Sequence, residues 1–454
     1  MSKTIAAIST GNSVSGIGVI RISGEDAIAV GNKVFKALDG TPLTEIKGYT
    51  AKFGSVYSNG ESYDNAIALV FRAPKSYTGE DVVEISVHGG IFIVEKTLEA
   101  VLSAGAVPAQ AGEFTKRAFL NGKIDLAQAE GVAALISAQG EEAVKASYSL
   151  LQGSLSNKIS SVLEGLVDCS ASMAAWVDYP DEDIPELESS SLISVLENAS
   201  TSLLKLIENY ENGCVITQGV DTVIVGKPNA GKSTLMNMLC GTEKSIVTHI
   251  KGTTRDIVES SVRLGNLVLH LSDTAGIRES DDIVESIGIK KAVEKIESAS
   301  LVLAVFDGSE ELSEDDYILI ESCKDKRSVA VINKTDLKQK IELEKIQESF
   351  RNIVFVSAKN NDGLETIEKQ VKKLLGVNNF DTTQPVLANK RQKQCVKNAL
   401  DNINEALDGA RNGVTNDAIN VMIDGAIDEL LTLTGKKASE EVVNNIFSRF
   451  CVGK

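Results

Sequence analysis

Apolar and polar positions alternate in short runs through the first 118 residues, as in NAIALVF at 65–71 and DVVEISV at 81–87. Alternation of this kind predicts half-buried strands, and the helical stretches, glycines and prolines between the runs predict a compact α+β unit. From 119 to 217 the period lengthens. Residues 127–151 and 192–211 carry apolar positions at helical spacing with little strand signal, which predicts a helical block. Between 218 and 377 apolar β-branched runs return: DTVIVG, LVLHLSDT, LVLAVFD, VAVINKTD and IVFVSAK, separated by amphipathic stretches. Short continuous apolar runs joined this way predict buried parallel strands with crossover helices, an α/β nucleotide-binding pattern. After the polar residues 378–384, helix resumes from about 387 to the last residue, interrupted at Gly413 and Gly435. The pattern as a whole predicts a multidomain α/β and α+β protein. An N-terminal α+β domain (1–118) precedes an all-helical domain split into 119–217 and 378–454, with an α/β domain (218–377) inserted between the halves.

Composition narrows the function classes. Of the 454 residues 43% are apolar and 24% charged, which excludes a disordered or fibrous chain. The 46 Lys and Arg against 63 Asp and Glu give a net charge of −17, so counterion release cannot drive strong non-specific nucleic-acid binding over the whole surface; any RNA contact must be local or borrowed. The cysteines (Cys169, Cys214, Cys240, Cys323, Cys395, Cys451) are far apart with no C-x-x-C pair, and histidine occurs only at His88, His249 and His270. Neither a disulfide frame nor a zinc knuckle is supported, and a reducing cytoplasm is the expected location. The start, MSKTIAAIST, has no long apolar core, and no apolar run approaches the roughly 18 residues of a membrane span. No signal peptide and no transmembrane helix are expected.

The chemistry concentrates in the α/β segment. The run DTVIV leads into Gly226-Lys227-Pro228-Asn229-Ala230-Gly231-Lys232-Ser233, with a helix expected from Thr234. This is G-x-x-x-x-G-K-[ST] in the strand-then-helix context that the motif needs. The glycines let backbone N–H groups turn towards phosphate oxygens, Lys232 brings charge to the β- and γ-phosphates, and the Ser233 hydroxyl can ligate Mg²⁺. Asp273-Thr274-Ala275-Gly276 ends the next apolar strand, where the carboxylate can hold Mg²⁺ through water and the Gly276 amide can meet the γ-phosphate. Thr254, in Gly252-Thr253-Thr254-Arg255-Asp256, is a candidate second hydroxyl ligand for Mg²⁺ in a switch loop. Asn333-Lys334-Thr335-Asp336 follows a strand, and the Asp336 carboxylate can accept from N1–H and the 2-amino group of guanine. Adenine lacks both donors, so the pattern selects GTP over ATP. Ser357-Ala358-Lys359, at another strand end, can offer a backbone N–H to guanine O6.

These motifs in this order resemble the G domains of the Era/Der/MnmE group, a Ras-like α/β fold. Where Ras-type enzymes place a water-orienting glutamine, this chain has Ile277, which can neither donate nor accept a hydrogen bond. The resemblance implies a K⁺ site built from Asn229 and from Thr248, Ile250 and Thr253, placing positive charge where an arginine finger otherwise acts. His249 and Lys251 depart from the usual loop, in which aspartate and a small residue or proline are common.

Outside that segment the likeness becomes specific. The run GEFTKRAFLNGKIDLAQAE at 112–130, YPDED at 179–183 and the final FCVGK at 450–454 resemble the MnmE (TrmE) family of tRNA modification GTPases across essentially the whole chain. That resemblance implies an N-terminal folate-binding and dimerisation domain, a split helical domain and an inserted GTPase. It further implies a homodimer working with the FAD-dependent protein MnmG, as a heterotetramer, on tRNA. GTP hydrolysis in such a complex accompanies transfer of an aminomethyl or carboxymethylaminomethyl group to C5 of the wobble uridine. The resemblance implies a tetrahydrofolate as one-carbon donor, in the 5-formyl or 5,10-methylene form. Carried over by position, the folate contacts fall on Arg21, Glu84, Lys123 and Lys454, a set suited to a pterin donor edge and a glutamate tail. The family's acidic residue after D-T-A-G falls on Glu285, which could orient the attacking water, and its switch arginine on Arg255.

The resemblance places Cys451 near the modification centre, where a thiolate could act as nucleophile, but a buried apolar helix-end cysteine is at least as good a reading. The acidic run 178–186 reads as a functional patch or a solvated turn, and His88, followed by Gly89-Gly90, as a turn residue. Two other readings stay open: a ribosome-assembly GTPase like Era or Der, whose basic RNA module or second G domain this chain lacks, and a folate-dependent methyl transferase with a regulatory G domain.

Overall fold

The computed structural model describes residues 3–11, 13–178, 188–241, 260–271, 295–378, 381 and 384–453. It forms two compact units, one of Met1–Ala133, Ser156–Ala199 and Asn398–Lys454, the other of Ala134–Leu155 and Ser200–Lys397.

In the first unit β1 (Ile5–Ile8), β2 (Ile17–Ser23), β3 (Phe35–Ala37), β4 (Thr50–Ser58), β5 (Glu61–Phe71), β6 (Val82–His88) and β7 (Val107–Pro108) make one sheet, ordered β3-β4-β5-β6-β2-β1-β7. Only β1 and β7 pair in parallel; the other neighbours are antiparallel. The runs at 65–71 and 81–87 fall in β5 and β6, with Ala68 opposite Ile85 and Val70 opposite Val83. Side chains alternate across a strand, so these residues and Ile20 and Ile22 share one face. Helices Ala27–Val34 and Ile91–Ser103 cover that face with Ile28, Val30, Val94 and Val101. Each fully buried aliphatic side chain contributes about 1.5–3 kcal/mol, and the covered face is the first core. Arg21 and Glu84 have the opposite parity and stand cross-strand from each other on the other face.

Helix Asn416–Thr434 buries Ile419, Ile423, Ala426, Leu430 and Leu433, a stripe at helical spacing. It ends at Gly435, whose φ of 89° suits glycine and where a Cβ would stand 2.7 Å from the Phe119 ring and 2.8 Å from Leu126. The preceding helix, Lys390–Arg411, stops before Gly413, so both predicted interruptions are present. The predicted helix over 127–151 is two helices, Leu126–Ser137 and Glu141–Leu151. Gly140 takes an extended conformation between them, and the acidic pair Glu141 and Glu142 starts the second, favourable at a helix N-terminus. The stretch 192–211 likewise divides into Ser189–Glu208 and Tyr210–Gln218. His88 is the last residue of β6 and not a turn residue; its Nδ1 meets Asp64 Oδ1 at 2.6 Å.

The second unit holds β8 (Val220–Val225), β9 (Ser260–Leu264), β10 (Leu267–Leu271), β11 (Leu301–Asp307), β12 (Ser328–Asn333) and β13 (Ile353–Phe355), ordered β13-β12-β11-β8-β10-β9. The predicted runs are its parallel strands; β9, which the pattern does not predict, pairs antiparallel with β10. Strand β11 is buried on both faces. Leu301, Leu303 and Val305 enter one core with Leu235, Ile367 and Val371, while Val302, Ala304 and Phe306 enter the other with Ile320, Ile346 and Phe350. Two covered faces are why these strands read as continuous apolar runs.

Candidate functional site

The candidate site is built at the carboxyl ends of β8, β11, β12 and β13, where open α/β sheets bind ligands. Strand β8 delivers Gly226, and helix Lys232–Cys240 begins six residues later. The loop between them needs unusual backbone. Asn229 has φ 59° and Gly231 φ 96°, and a Cβ at Gly231 would stand 2.1 Å from Asn333 Nδ2. Gly226 is equally constrained, since its Cβ would meet the Val305 carbonyl at 2.4 Å. Lys232 folds back over the loop and donates to Gly226 O and Lys227 O, both at 2.8 Å. Burial holds its ammonium below the usual lysine range. Ser233, Thr234 and Asn229 are exposed, whereas Ala230 is fully buried. Free N–H groups at the start of this helix, together with its dipole, give a phosphate-binding end.

Lys227 anchors the loop from the other side. Its Nζ lies 3.2 Å from Asp316 Oδ2 and 3.1 Å from Glu310 Oε2. Burial alone would lower its pKa, but the two carboxylates outweigh that and hold it above the ordinary value. Asp316 is buried and also closes a capping box with Ser313 at the start of helix Glu314–Cys323.

Asn333, at the end of β12, joins the glycine loop 226–233 to the turn at 357–359. Its Nδ2 donates to Ala230 O at 3.0 Å, and its Oδ1 accepts from the Ala358 N–H at 3.1 Å. Asp336 accepts from Ser357 Oγ at 2.7 Å, and this bond, with Lys359 and Lys334 nearby, holds its carboxyl below the usual range. The exposed carboxylate is therefore ionised at neutral pH and able to accept two N–H donors. The sequence-predicted residues Asn229, Ala230, Gly231, Lys232, Ser233, Thr234, Asn333, Lys334, Asp336, Ser357, Ala358 and Lys359 thus come from three strand ends of one sheet. Lys227, Asp316 and Asp307 were not singled out by the motifs. The signals for them were an acidic residue closing an apolar strand and a Ser-x-x-Asp capping box.

A second cluster lies in the first unit. Arg21 Nε donates to Glu84 Oε1 at 2.8 Å, and its guanidinium lies 5.7 Å from the Tyr77 ring centroid and 5.6 Å from that of Phe114. Tyr77 OH meets Thr115 Oγ1 at 2.9 Å, and burial raises its pKa. Lys123 Nζ donates to Pro74 O at 3.1 Å, so Lys123 and, through Tyr77, Arg21 both adjoin the loop 72–81. Arg117 fixes that loop through Glu80, with bonds of 2.9 and 3.1 Å, and also binds Glu113 and the Lys3 carbonyl. The chain's end reaches the same sheet. Ala111 bridges Val452, Ser9 Oγ donates to Gly453 O at 3.1 Å, and a Cβ at Gly453 would stand 2.1 Å from Ile8 O. Cys451, read from sequence as either nucleophile or buried helix-end residue, is exposed.

Thr248, Ile250, Thr253, Thr254 and Arg255, then Asp273, Thr274, Ala275, Gly276, Ile277 and Glu285, and finally Lys454 lie outside the described residues, as does the segment 179–187. Among the described helices none is long and apolar enough to cross a membrane.

Residues 4–123 match the family described as the GTP-binding protein TrmE N-terminus, and residues 126–451 match the MnmE helical domain. The tRNA modification GTPase MnmE of Clostridioides difficile is 39% identical over 454 residues, covering 99% of both chains. Those of Thermoanaerobacter pseudethanolicus and Natranaerobius thermophilus are 38% identical over 456 residues and 40% over 460, again covering 99% of both chains. Similarity at this level along whole chains, on a fold that gathers the glycine loop 226–233 and the turn at 357–359 at the carboxyl ends of one sheet, means that the chain belongs to the MnmE family of tRNA modification GTPases.

Proposed function

We propose that this GTPase is the GTP-hydrolysing component of a complex that, with an FAD-dependent partner of the MnmG kind, modifies C5 of the wobble uridine of certain tRNAs. The group installed is aminomethyl or carboxymethylaminomethyl, and the one-carbon unit comes from a tetrahydrofolate. The observation that carries this reading is the full-length likeness to tRNA modification GTPases, together with Asn333 tying Ala230 to Ala358. The net charge of −17 favours a partner that supplies much of the tRNA-binding surface.

In the G domain, proposed as 218–377, Asp336 recognises guanine and Lys232 meets the β- and γ-phosphates. The Ser233 hydroxyl, exposed at the start of its helix, fits a Mg²⁺ ligand, with Thr254 and Asp273 as the others. Mg²⁺ would neutralise phosphate charge. Asn229, exposed in left-handed backbone on the loop, fits a K⁺ ligand alongside Thr248, Ile250 and Thr253. Glu285 orients the water in place of a glutamine, and Arg255 supports the closed switch. The chain acts as a homodimer in the cytoplasm, and approach of two G domains triggers hydrolysis.

Residues 1–118 bind the folate. Support comes from Arg21, paired with Glu84, and Lys123 both adjoining the loop 72–81, with Tyr77 and Phe114 offering aromatic faces beside Arg21. Lys454 and the exposed Cys451 belong to the same centre, carried by a helical domain proposed as 119–217 and 378–454. The test is mass-spectrometric nucleoside analysis of tRNA from cells lacking the gene, complemented with wild type or with Asp336→Asn. Loss of C5-aminomethyl wobble uridines, restored by wild type alone, supports the reading. Unchanged nucleosides with a ribosomal-subunit defect would replace it with the assembly-GTPase reading.

A further inference from the structure

Asp307 closes β11 in register with Asn333 at the end of β12. Its side chain is 2% exposed, yet both carboxylate oxygens are engaged. Oδ1 accepts from the Ser309 N–H at 2.9 Å and from Ser309 Oγ at 2.6 Å, and Oδ2 accepts from Lys334 Nζ. A buried carboxylate must stay paired, so this contact is much harder to break than a surface ion pair.

Lys334 is held from more than one side. Its backbone has φ 65°, a left-handed conformation unusual for lysine, and its carbonyl accepts from Gln339 Nε2 at 3.0 Å and from the Leu337 N–H at 3.0 Å. Gly308 leaves room for this arrangement: a Cβ there would stand 2.1 Å from Gln339 Oε1 and 2.9 Å from the Asn333 carbonyl. The Gly308 N–H donates to that carbonyl at 2.9 Å. Two residues beyond Lys334 stands Asp336, whose exposed carboxylate is bonded to Ser357. An ammonium released beside this carboxylate would be drawn to it, competing with any neutral N–H donor.

We infer that Asp307 is a positioning residue for guanine recognition: it sequesters the Lys334 ammonium, so that the Asp336 carboxylate stays available to the base and the Lys334 stem stays beside it. This deepens the guanine-site reading of Asp336 and rests on it. The effect is confined to the base end of the nucleotide. GDP and GTP lose affinity by the same factor on its removal, because Lys232 and Ser233 lie at the start of a separate helix.

The experiment uses the full chain, with equilibrium titration of fluorescent GDP and of a non-hydrolysable fluorescent GTP analogue, and kcat measured at saturating GTP. Asp307→Asn is expected to raise both Kd values about tenfold, with kcat within about twofold of wild type. In a Lys334→Met background the same change should cost nothing further. An equal tenfold loss in that background would mean that Asp307 acts through the fold and not through Lys334, and would overturn the inference. If Asp307→Asn does not fold, Asp307→Leu with Lys334→Met removes both charges together. Affinity equal to Lys334→Met alone then supports the inference, and further loss overturns it. Asp336→Asn, titrated with GDP and XDP, separates the underlying reading. A switch of preference to XDP upholds the guanine site whatever Asp307 does, and no switch removes the site and the inference together.

Discussion

Asn333→Ala tests whether the phosphate loop and the base-reading corner are one structure. Asn333 is 2% exposed and holds two backbone groups from separate loops, Ala230 O at 3.0 Å and Ala358 N–H at 3.1 Å. Alanine leaves both without a partner, at about 1–3 kcal/mol for each buried orphan. Water entering the space relieves part of this, so a net loss of about 2–4 kcal/mol is expected, shared between stability and binding. If half falls on binding, GDP affinity drops between about fivefold and thirtyfold, since each 1.4 kcal/mol is tenfold. Asn333→Asp is the sharper variant. It keeps the acceptor for Ala358 but places an oxygen against Ala230 O, so its loss should equal or exceed that of alanine. The assay is titration with fluorescent GDP, paired with hydrogen exchange of residues 226–240 and 357–360. Native exchange in both segments and GDP affinity within about twofold of wild type in both variants would refute the reasoning.

Lys227→Met leaves Asp316 buried without its cation, which should cost on the order of 3 kcal/mol in urea unfolding, and Lys227→Met with Asp316→Asn should recover most of it. Recovery absent from the double variant would show that the ion pair is not the cause. Gly453→Ala forces a Cβ to 2.1 Å from Ile8 O at φ 96°, so the terminal residues must leave β1. The expected result is loss of wobble-uridine modification by nucleoside analysis with unchanged GTP turnover; retained modification would overturn the proposal that the tail serves the reaction centre. The Asp307 carboxyl is pushed up by burial but pulled further down by Lys334 and Ser309, so it sits below the ordinary aspartate value of 3.8. A depressed folded pKa stabilises above the unfolded pKa, and that stability is lost as pH falls through the folded value. Urea midpoints of wild type and Asp307→Asn should therefore differ by a constant amount above about pH 5 and converge below pH 3.8; a gap that widens on acidification would reverse the sign.

The sequence by itself determined the nucleotide chemistry and most of the elements. A phosphate loop is a local object: one strand, eight residues and a helix start carry its glycines, lysine and serine in order, so spacing alone identifies it. The residues proposed to read the base stand out for the same reason, each at the end of an apolar run. Strand periodicity in β5 and β6, and the doubly buried β11 and β12, followed from which faces are covered. The break at Gly140 and the antiparallel strand β9 were less legible, because a short polar-edged strand and a single glycine leave little periodic signal.

Only the tertiary structure decided which charges meet. Arg21 and Glu84 are 63 residues apart and become partners through the β2–β6 register, while Lys123 reaches Pro74 on the loop that the buried Arg117 fixes through Glu80. Ser9 and Gly453 are 444 residues apart in sequence and hydrogen-bonded in space. Asp307 reads in the sequence as a strand-ending carboxylate like any other; burial and the pairing of β11 with β12 make it the partner of Lys334. A one-dimensional pattern records the period of burial, which short-range geometry sets, but an ion pair depends on two distant backbones being brought into register, which only the packed core does.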